Sequence, residues 1–385
     1  MPRPAQSAVD NRFAIRNLQR VQNFIQQNRI VAGGGDFHSR SFAICFAVGQ
    51  NRIYSCAMRN RFTLSAGVVF LLAIGLPVRQ SWGWIATGHK VIAMIAWEDL
   101  TPKTRAAVTA ILEKHPRFEK DLEAGEDADA TPQEKALHVF AQAATWPDMI
   151  RLQENPMHEE FHHPAWHYID IPYAVGDAKA VEKTAPGPGP HNIVEALTQC
   201  TAELKDPKTP EDKKAIDLCW VEHLVGDIEQ PLHTASLFSE EFPKGDQGGN
   251  SEIVLKEPPY PDSNANLHFI WDSLPGDFLS DDPDHYEAEG LHGDPKYSRE
   301  KLATLLKDKN FMDWANESHA LAVDDAYLNG KLQAAENHGR RGAAGGQIPG
   351  LPPGYMQQAE KVAMHQVALG GYRLADLLNS IFDPK

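Results

Sequence analysis

The run His223-Leu-Val-Gly-Asp227-Ile-Glu-Gln-Pro231-Leu-His233 constrains this chain more than any other stretch of it. On a helix, His223 and Asp227 fall one turn apart on the same face. Pro231 ends that helix, because proline has no N–H to give and its ring clashes with the preceding turn, so His233 arrives from the following loop. The same spacing recurs at His268-Phe-Ile-Trp-Asp272. Taken singly, such a pair is more often a solvated hydrogen-bonded pair on a helix surface. Two pairs together with His233 point to metal, and zinc takes imidazole nitrogen and carboxylate oxygen at about 2.0–2.2 Å.

The remaining periodicity is helical. Apolar residues recur three and four apart after Trp84, in the segment from Gly88 to Leu100, and again at Lys103–Leu112, Pro132–Ala143, Ile193–Leu204, Asp212–Leu224, Arg299–Leu306, Met312–Leu332 and Met356–Ile381. Pro- and Gly-rich breaks at Thr184–His191, Pro258–Pro261 and His338–Gly354 read as surface loops. Only Ser251–Lys256 has strand character. The expectation is a single mostly helical, all-α domain.

The N-terminal part has a different origin. From Met58 the chain shows a basic start, an apolar stretch at Phe62–Val78, and the small residues Ser81 and Gly83 where a signal peptidase inspects. The apolar stretch is short of the ~20 residues a membrane span needs, which favours a cleaved signal peptide over residues 58–83 rather than an anchor. Cleavage leaves Trp84 first, and export leads to the periplasm or the medium. Residues 1–57 have no place in such a signal and read as an upstream extension that is not native to the mature protein. Without residues 1–83 the chain keeps 27 basic and 50 acidic residues, a net charge of −23. That surface repels nucleic acid on average, so any phosphate chemistry needs a local positive centre, for which bound metal is the strongest candidate. Cys45 and Cys56 fall in the removed part. Cys200 and Cys219 lie on consecutive helical segments, where they form either a disulfide across the pair or two buried thiols.

Two further stretches carry ligand-type side chains beside large aromatic rings: Trp146-Pro-Asp148 and Trp166-His167-Tyr168-Ile-Asp170. By spacing alone, a core histidine satisfied by a backbone carbonyl is the commoner reading of the second. The order of all these motifs, however, resembles that of the zinc-dependent single-strand-specific nuclease family of the S-one/P-one type, which is related to zinc-dependent phospholipase C. Mature chains of that family begin with Trp and carry a Gly-His pair shortly after, as Trp84-Ile-Ala-Thr-Gly88-His89 does here. The likeness continues through Gly248-Gly249-Asn250 and Asn266-Leu-His268 to Gly370-Gly371-Tyr372-Arg373 in the last helix, and so spans residues 84–385.

The resemblance implies three zinc ions. Asp148, His167, His223 and Asp227 hold one, His233, His268 and Asp272 a second, and His89, Asp227 and the α-amino nitrogen and carbonyl oxygen of Trp84 a third. It implies hydrolysis of single-stranded DNA and RNA and of 3′-nucleotides, leaving a 5′-phosphate. Asp148, Arg151 and Asp227 are the expected catalytic residues, with the Arg151 guanidinium shaped to grip phosphate oxygens. A base is expected to stack on Tyr168 and to hydrogen-bond Asp170 through its edge. Read without the family, Arg151 fits a surface ion pair and Tyr168 a core residue. His115, His138, His158, His285, His319 and His365 lack ligand spacing and read as ordinary, and His162 and His163 lack the Tyr-Ile-Asp context that follows His167. No stable protein partner is implied, nor any membrane anchor after processing. Two other functions stay open at this point: a phospholipase C acting on lipid head groups, and a zinc-binding protein without catalysis.

Overall fold

The protein is described by a computed structural model over residues 84–176, 189–256, 264–276, 288–336 and 348–385. The upstream extension, the signal peptide, Cys45, Cys56 and His285 lie outside these residues, as do all or part of the three predicted loops. Among the described residues no helix is long and apolar enough to cross a membrane.

Several of the helices start where short polar side chains cap them. Helix α1 (Ala86–Asp99) is followed by α2 (Pro102–Leu112), whose Thr101 accepts the Thr104 N–H and whose first position is proline. Thr131 and Glu134 exchange hydrogen bonds in a capping box that opens α3 (Pro132–Ala143). Asn192 caps α4 (Ile193–Lys205), and α5 (Glu211–Asp227) runs back alongside it. Asn266 caps the short α6 (Leu267–Asp272), Asn310 caps α7 (Phe311–Leu321), and α8 (Tyr355–Phe382) closes the chain.

Every residue of α5 from Ala215 to Asp227 is buried, which makes it the central helix rather than an amphipathic surface one. It packs against α1, α2, α3, α4 and α8. Gly370 and Gly371 let α8 lie close on α1, since a side chain at Gly371 would meet Ile95 at 2.4 Å. A buried polar network ties α8 to the end of α5. Arg373 Nη1 donates to Glu229 Oε1 at 2.8 Å, and Gln366 Nε2 donates to Glu229 Oε2 at 2.9 Å. Arg373 also pairs with Glu317 and lies over the Trp314 ring at 4.7 Å. Burial pushes Glu229 up to about 7 against the pull of Arg373.

Small strands supplement the helices. β1 (Pro172–Ala174) pairs in parallel with β2 (Ser236–Phe238), and β3 (Glu252–Leu255) lies antiparallel between β4 (Asn264–Asn266) and β5 (Ala335–Glu336). Of these, the sequence reading anticipated β3 alone.

Two expectations need correction, and the alternative left open at the cysteines is decided. Arg299–Leu306 is not an α-helix; it forms turns and then a single 3₁₀ turn, Leu305–Lys307. Tertiary contacts override its periodicity there, because Arg299 reaches Asp99 and Asp376 and stacks over Tyr372. The helix expected over Met312–Leu332 stops at Leu321, gives way to a π turn at Ala322–Ala326, and ends in left-handed backbone at Leu328, Asn329 and Gly330. It unwinds where the fully buried Tyr327 turns inward to reach Asp246. Finally, Cys200 and Cys219 are two free, buried thiols. They face different surroundings, Cys200 toward Asp217 and Cys219 toward Glu222, and burial raises both thiols well above their ordinary range.

Candidate metal centre

The motif residues, 183 positions apart at the extremes from His89 to Asp272, converge in the interior. His89 comes from α1, His223 and Asp227 from the last two turns of α5, and His268 and Asp272 from α6. Asp148 sits in the one-turn helix Trp146–Met149 and His167 in the 3₁₀ turn Pro164–His167. His233 does not come from an irregular loop: Pro231 opens a 3₁₀ turn, Pro231–Thr234, that holds it. All eight side chains are buried. They form three groups in which one donor atom from each residue lies within 4.8 Å of the others: His89, His223 and Asp227; Asp148, His167 and His223; and His233, His268 and Asp272.

Asp227 is the hub. Its Oδ2 lies 2.9 Å from His167 Nδ1 and 3.1 Å from His223 Nε2, and its Oδ1 lies 3.4 Å from His89 Nε2 and 3.7 Å from His233 Nδ1. His223 Nε2 is 3.7 Å from Asp148 Oδ1, and His268 Nε2 is 3.6 Å from Asp272 Oδ2. The His89 ring stacks on His223 with centroids 3.9 Å apart. Gly226 makes that approach possible, since a Cβ there would come within 2.7 Å of His89 Nδ1.

Backbone carbonyls fix the rings. Nδ1–H of His223 donates to Ala144 at 2.8 Å, that of His233 to His167 at 2.6 Å, and that of His268 to Gly248 at 2.6 Å. A carbonyl only accepts, so these rings carry a proton on Nδ1, and the neutral rings of His233 and His268 turn Nε2 inward as a lone pair. His233 Nε2 and His268 Nε2 then face each other at 3.1 Å. Burial pushes His268 and His167 down to about 3 and also lowers His89 and His233, so these rings are neutral, the form a metal takes. His223 goes the other way: burial opposes its charge, but Asp227 and Asp148 raise it. Burial likewise opposes Asp227, yet His223 and His233 hold it well below the carboxylate range. Two facing lone pairs repel unless a cation lies between them. Both ring nitrogens of His89, His167 Nε2 and Asp227 Oδ1 are buried without a hydrogen-bond partner. Neutral imidazoles, ionised carboxylates and orphaned inward-facing donors together fit divalent metal ions.

Around these groups stand residues with supporting contacts. Arg151 Nε is 2.9 Å from Asp148 Oδ1 with its side chain only 11% exposed, so it forms a mostly buried pair at the centre instead of a surface one. After the 3₁₀ turn the backbone is extended at Tyr168, and burial alternates from His167 to Asp170, which leaves Tyr168 and Asp170 both facing outward. Tyr168 is 41% exposed and is not a core residue. Trp84 is fully buried; its Cβ packs against Gly88, next to His89, and the following Ile85 N–H donates to the Asp272 carbonyl at 3.1 Å. Sequence reasoning missed Gln230, which donates to Asp272 Oδ1 at 2.6 Å while its Oε1 accepts the Leu232 N–H at 2.6 Å. Its position just before Pro231 was the available signal. His138, His158 and His319 satisfy backbone carbonyls, and His115 packs on Trp146, as ordinary histidines do.

Comparison with known proteins gives the same picture. The model of the family described as S1/P1 Nuclease matches residues 84–383. Endonuclease 2 of Arabidopsis thaliana is 26% identical over 309 residues, covering 78% of this chain and 91% of that protein. Endonuclease 3 of the same plant is 25% identical over 341 residues, covering 84% and 97%. Nuclease S1 of Aspergillus oryzae is 26% identical over 194 residues, covering 50% and 54%.

Proposed function

This chain belongs to the S1/P1 nuclease family, and from that premise we propose that it hydrolyses single-stranded DNA and RNA to 5′-phosphorylated products, and 3′-nucleotides as well, with three zinc ions as cofactors. The observation that carries the reading is the Asp227 carboxylate, which touches imidazoles from four separate elements at the meeting point of three donor groups.

In this reading Asp148, His167, His223 and Asp227 hold one ion, and His233, His268 and Asp272 another. His89 and Asp227 hold the third with the amino nitrogen and carbonyl oxygen of Trp84. Zinc in such a site lowers the pKa of water and offsets charge that builds on phosphate oxygens. The protein's own groups do the rest. Arg151, anchored by Asp148, presents a planar fork to the phosphate and supplies positive charge on a chain whose surface is otherwise acidic. The exposed Tyr168 ring receives a base on its face, and Asp170 accepts from the base edge. A paired base hides its face inside the duplex, which accounts for the preference for single strands.

Trp84 contributes only as a chain terminus. A free α-amino group has a pKa of about 7.7–8.0 and gives up its proton to zinc near neutral pH, whereas a peptide nitrogen is no donor. Removal of the export signal over residues 58–83 therefore completes the site, and the mature enzyme is secreted or periplasmic.

The test combines N-terminal mass and zinc content of the exported protein with hydrolysis of single-stranded DNA and of a choline phospholipid, before and after chelation. Expected are a chain that starts at Trp84, three zinc ions, and DNA cleavage that chelation abolishes. A different first residue, fewer than three metals in active protein, or turnover of lipid alone would overturn the proposal. Uncleaved protein retained in the cytoplasm should hold less zinc and show little activity.

A further inference from the structure

Asp246 stands outside the three donor groups, yet it is completely buried and heavily engaged. Its Oδ1 accepts from the backbone N–H of Leu237 at 2.6 Å and of Gly248 at 3.1 Å. Its Oδ2 accepts from the Gly249 N–H at 2.6 Å and from the Tyr327 hydroxyl at 2.8 Å. Gly248 and Gly249 both hold positive φ, 62° and 79°, and a Cβ at Gly248 would meet the Leu232 carbonyl at 2.3 Å. With Gln247 also at positive φ, 58°, three consecutive residues make a tight turn whose N–H groups of Gly248 and Gly249 face an anion, here the protein's own carboxylate. The outer side of that turn is the Gly248 carbonyl, which accepts Nδ1–H from His268.

We infer that Asp246 is the positioning residue for His268: its carboxylate locks the Gly248-Gly249 turn so that the Gly248 carbonyl fixes the imidazole as the Nδ1–H tautomer and presents Nε2 to His233 and Asp272. The chain of contacts is continuous, from Tyr327 and the β2 backbone through Asp246 to the turn and on to the ring. Each link is a hydrogen bond with one possible direction, because a carboxylate and a carbonyl accept and an N–H or hydroxyl donates. The metal part of this inference rests on the zinc reading above; the tautomer part does not.

Asp246 also accepts a long hydrogen bond from Ser236 Oγ at 3.5 Å and lies beside the buried Glu252 carboxyl. Asp246→Asn sets an amide NH₂ against backbone N–H groups on whichever oxygen it replaces, so at least one of those backbone bonds must break. The first readout is ¹⁵N NMR of the histidine rings in metal-free protein. The parent should show His268 as a single Nδ1–H tautomer, and Asp246→Asn should show it averaged between tautomers. The second is calorimetric zinc titration, in which one of three equivalents should weaken about 10–100-fold and the other two stay as in the parent. A folded Asp246→Asn protein that keeps the single tautomer and the parental zinc affinities overturns the inference. If the parent takes up no zinc, the cofactor reading fails while the tautomer readout still decides the role of Asp246. If Asp246→Asn does not fold, Tyr327→Phe removes one donor from the carboxylate. Exchange of the Gly249 amide and the His268 ring proton should then quicken about tenfold, and unchanged exchange overturns the inference.

Discussion

Replacing Arg373 with methionine should destabilise the protein by about 3–5 kcal/mol above pH 8 and by clearly less at pH 5. Both partners of the Arg373–Glu229 pair are fully buried at 2.8 Å, and methionine fills the stem's volume without the charge. Loss of one partner from a buried pair leaves an uncompensated ion, the origin of the ~3–5 kcal/mol figure. Against a total stability of about 5–15 kcal/mol that is a large fraction. The pH dependence follows from Glu229, which burial already lifts to about 7 from an ordinary 4.5 despite Arg373. A carboxyl raised in the folded state contributes stability that is complete below its unfolded pKa and is lost as pH rises through the folded value. In the parent that loss ends near 7; without Arg373 it continues upward, so the gap between the two proteins widens in alkali. At pH 5 both hold a neutral acid, and the gap shrinks to the lost hydrogen bonds and the Trp314 contact, about 1–3 kcal/mol. Urea unfolding of Arg373→Met, Glu229→Gln and the double variant at pH 5 and pH 8 measures this, each compared with the parent at the same pH. The double variant should recover most of the alkaline loss. An equal loss at both pH values, or strictly additive single losses, would refute the reasoning.

Asp227→Asn should lower zinc content by more than one equivalent and hydrolysis by at least ~100-fold, taking the cost of losing an outer-shell partner as a floor; loss of a single ion in metal analysis contradicts the hub role. Tyr168→Ala should raise KM for single-stranded oligonucleotides about 5–150-fold, the equivalent of ~1–3 kcal/mol of stacking, with kcat near parental and Tyr168→Phe close to neutral. A fall in kcat at constant KM would remove the base-platform role. His115, buried against Trp146, is depressed by burial from 6.5 to about 4. Its contribution is therefore present above pH 6.5 and lost as pH falls through about 4, by up to ~3 kcal/mol. His115→Phe should flatten that part of the unfolding profile, and parallel profiles would show that His115 is not its source.

Five of the eight converging side chains left a legible mark in local spacing: His223 and Asp227, and His268 and Asp272, stand four apart in the sequence as in the helices, and His233 follows Pro231. His89, Asp148 and His167 were assigned as donors only by the family resemblance. Periodicity also located α1 to α5 and α8 to within a few residues. What supports the donors left no such mark. Asp246 serves His268 across a glycine turn, Gln230 steadies Asp272, and Glu229 meets Arg373 across 144 positions. Those pairings depend on which surfaces the fold brings together, and no window of neighbouring residues contains that information. The failures at Arg299–Leu306 and beyond Leu321 are alike in kind: a half-exposed ion pair in the first and a buried tyrosine in the second outweighed local helix preference.

The last helix bears on how such an enzyme is made. It is α8 that lies along α1, the bearer of His89, through Gly370 and Gly371, and that grips the segment just past Asp227 through Arg373. A nascent polypeptide still missing its final thirty or so residues already contains every proposed zinc donor but lacks the piece that braces two of the elements presenting them. Bracing of the donors on α1 and at the end of α5 thus comes last in synthesis, when α8 docks on both.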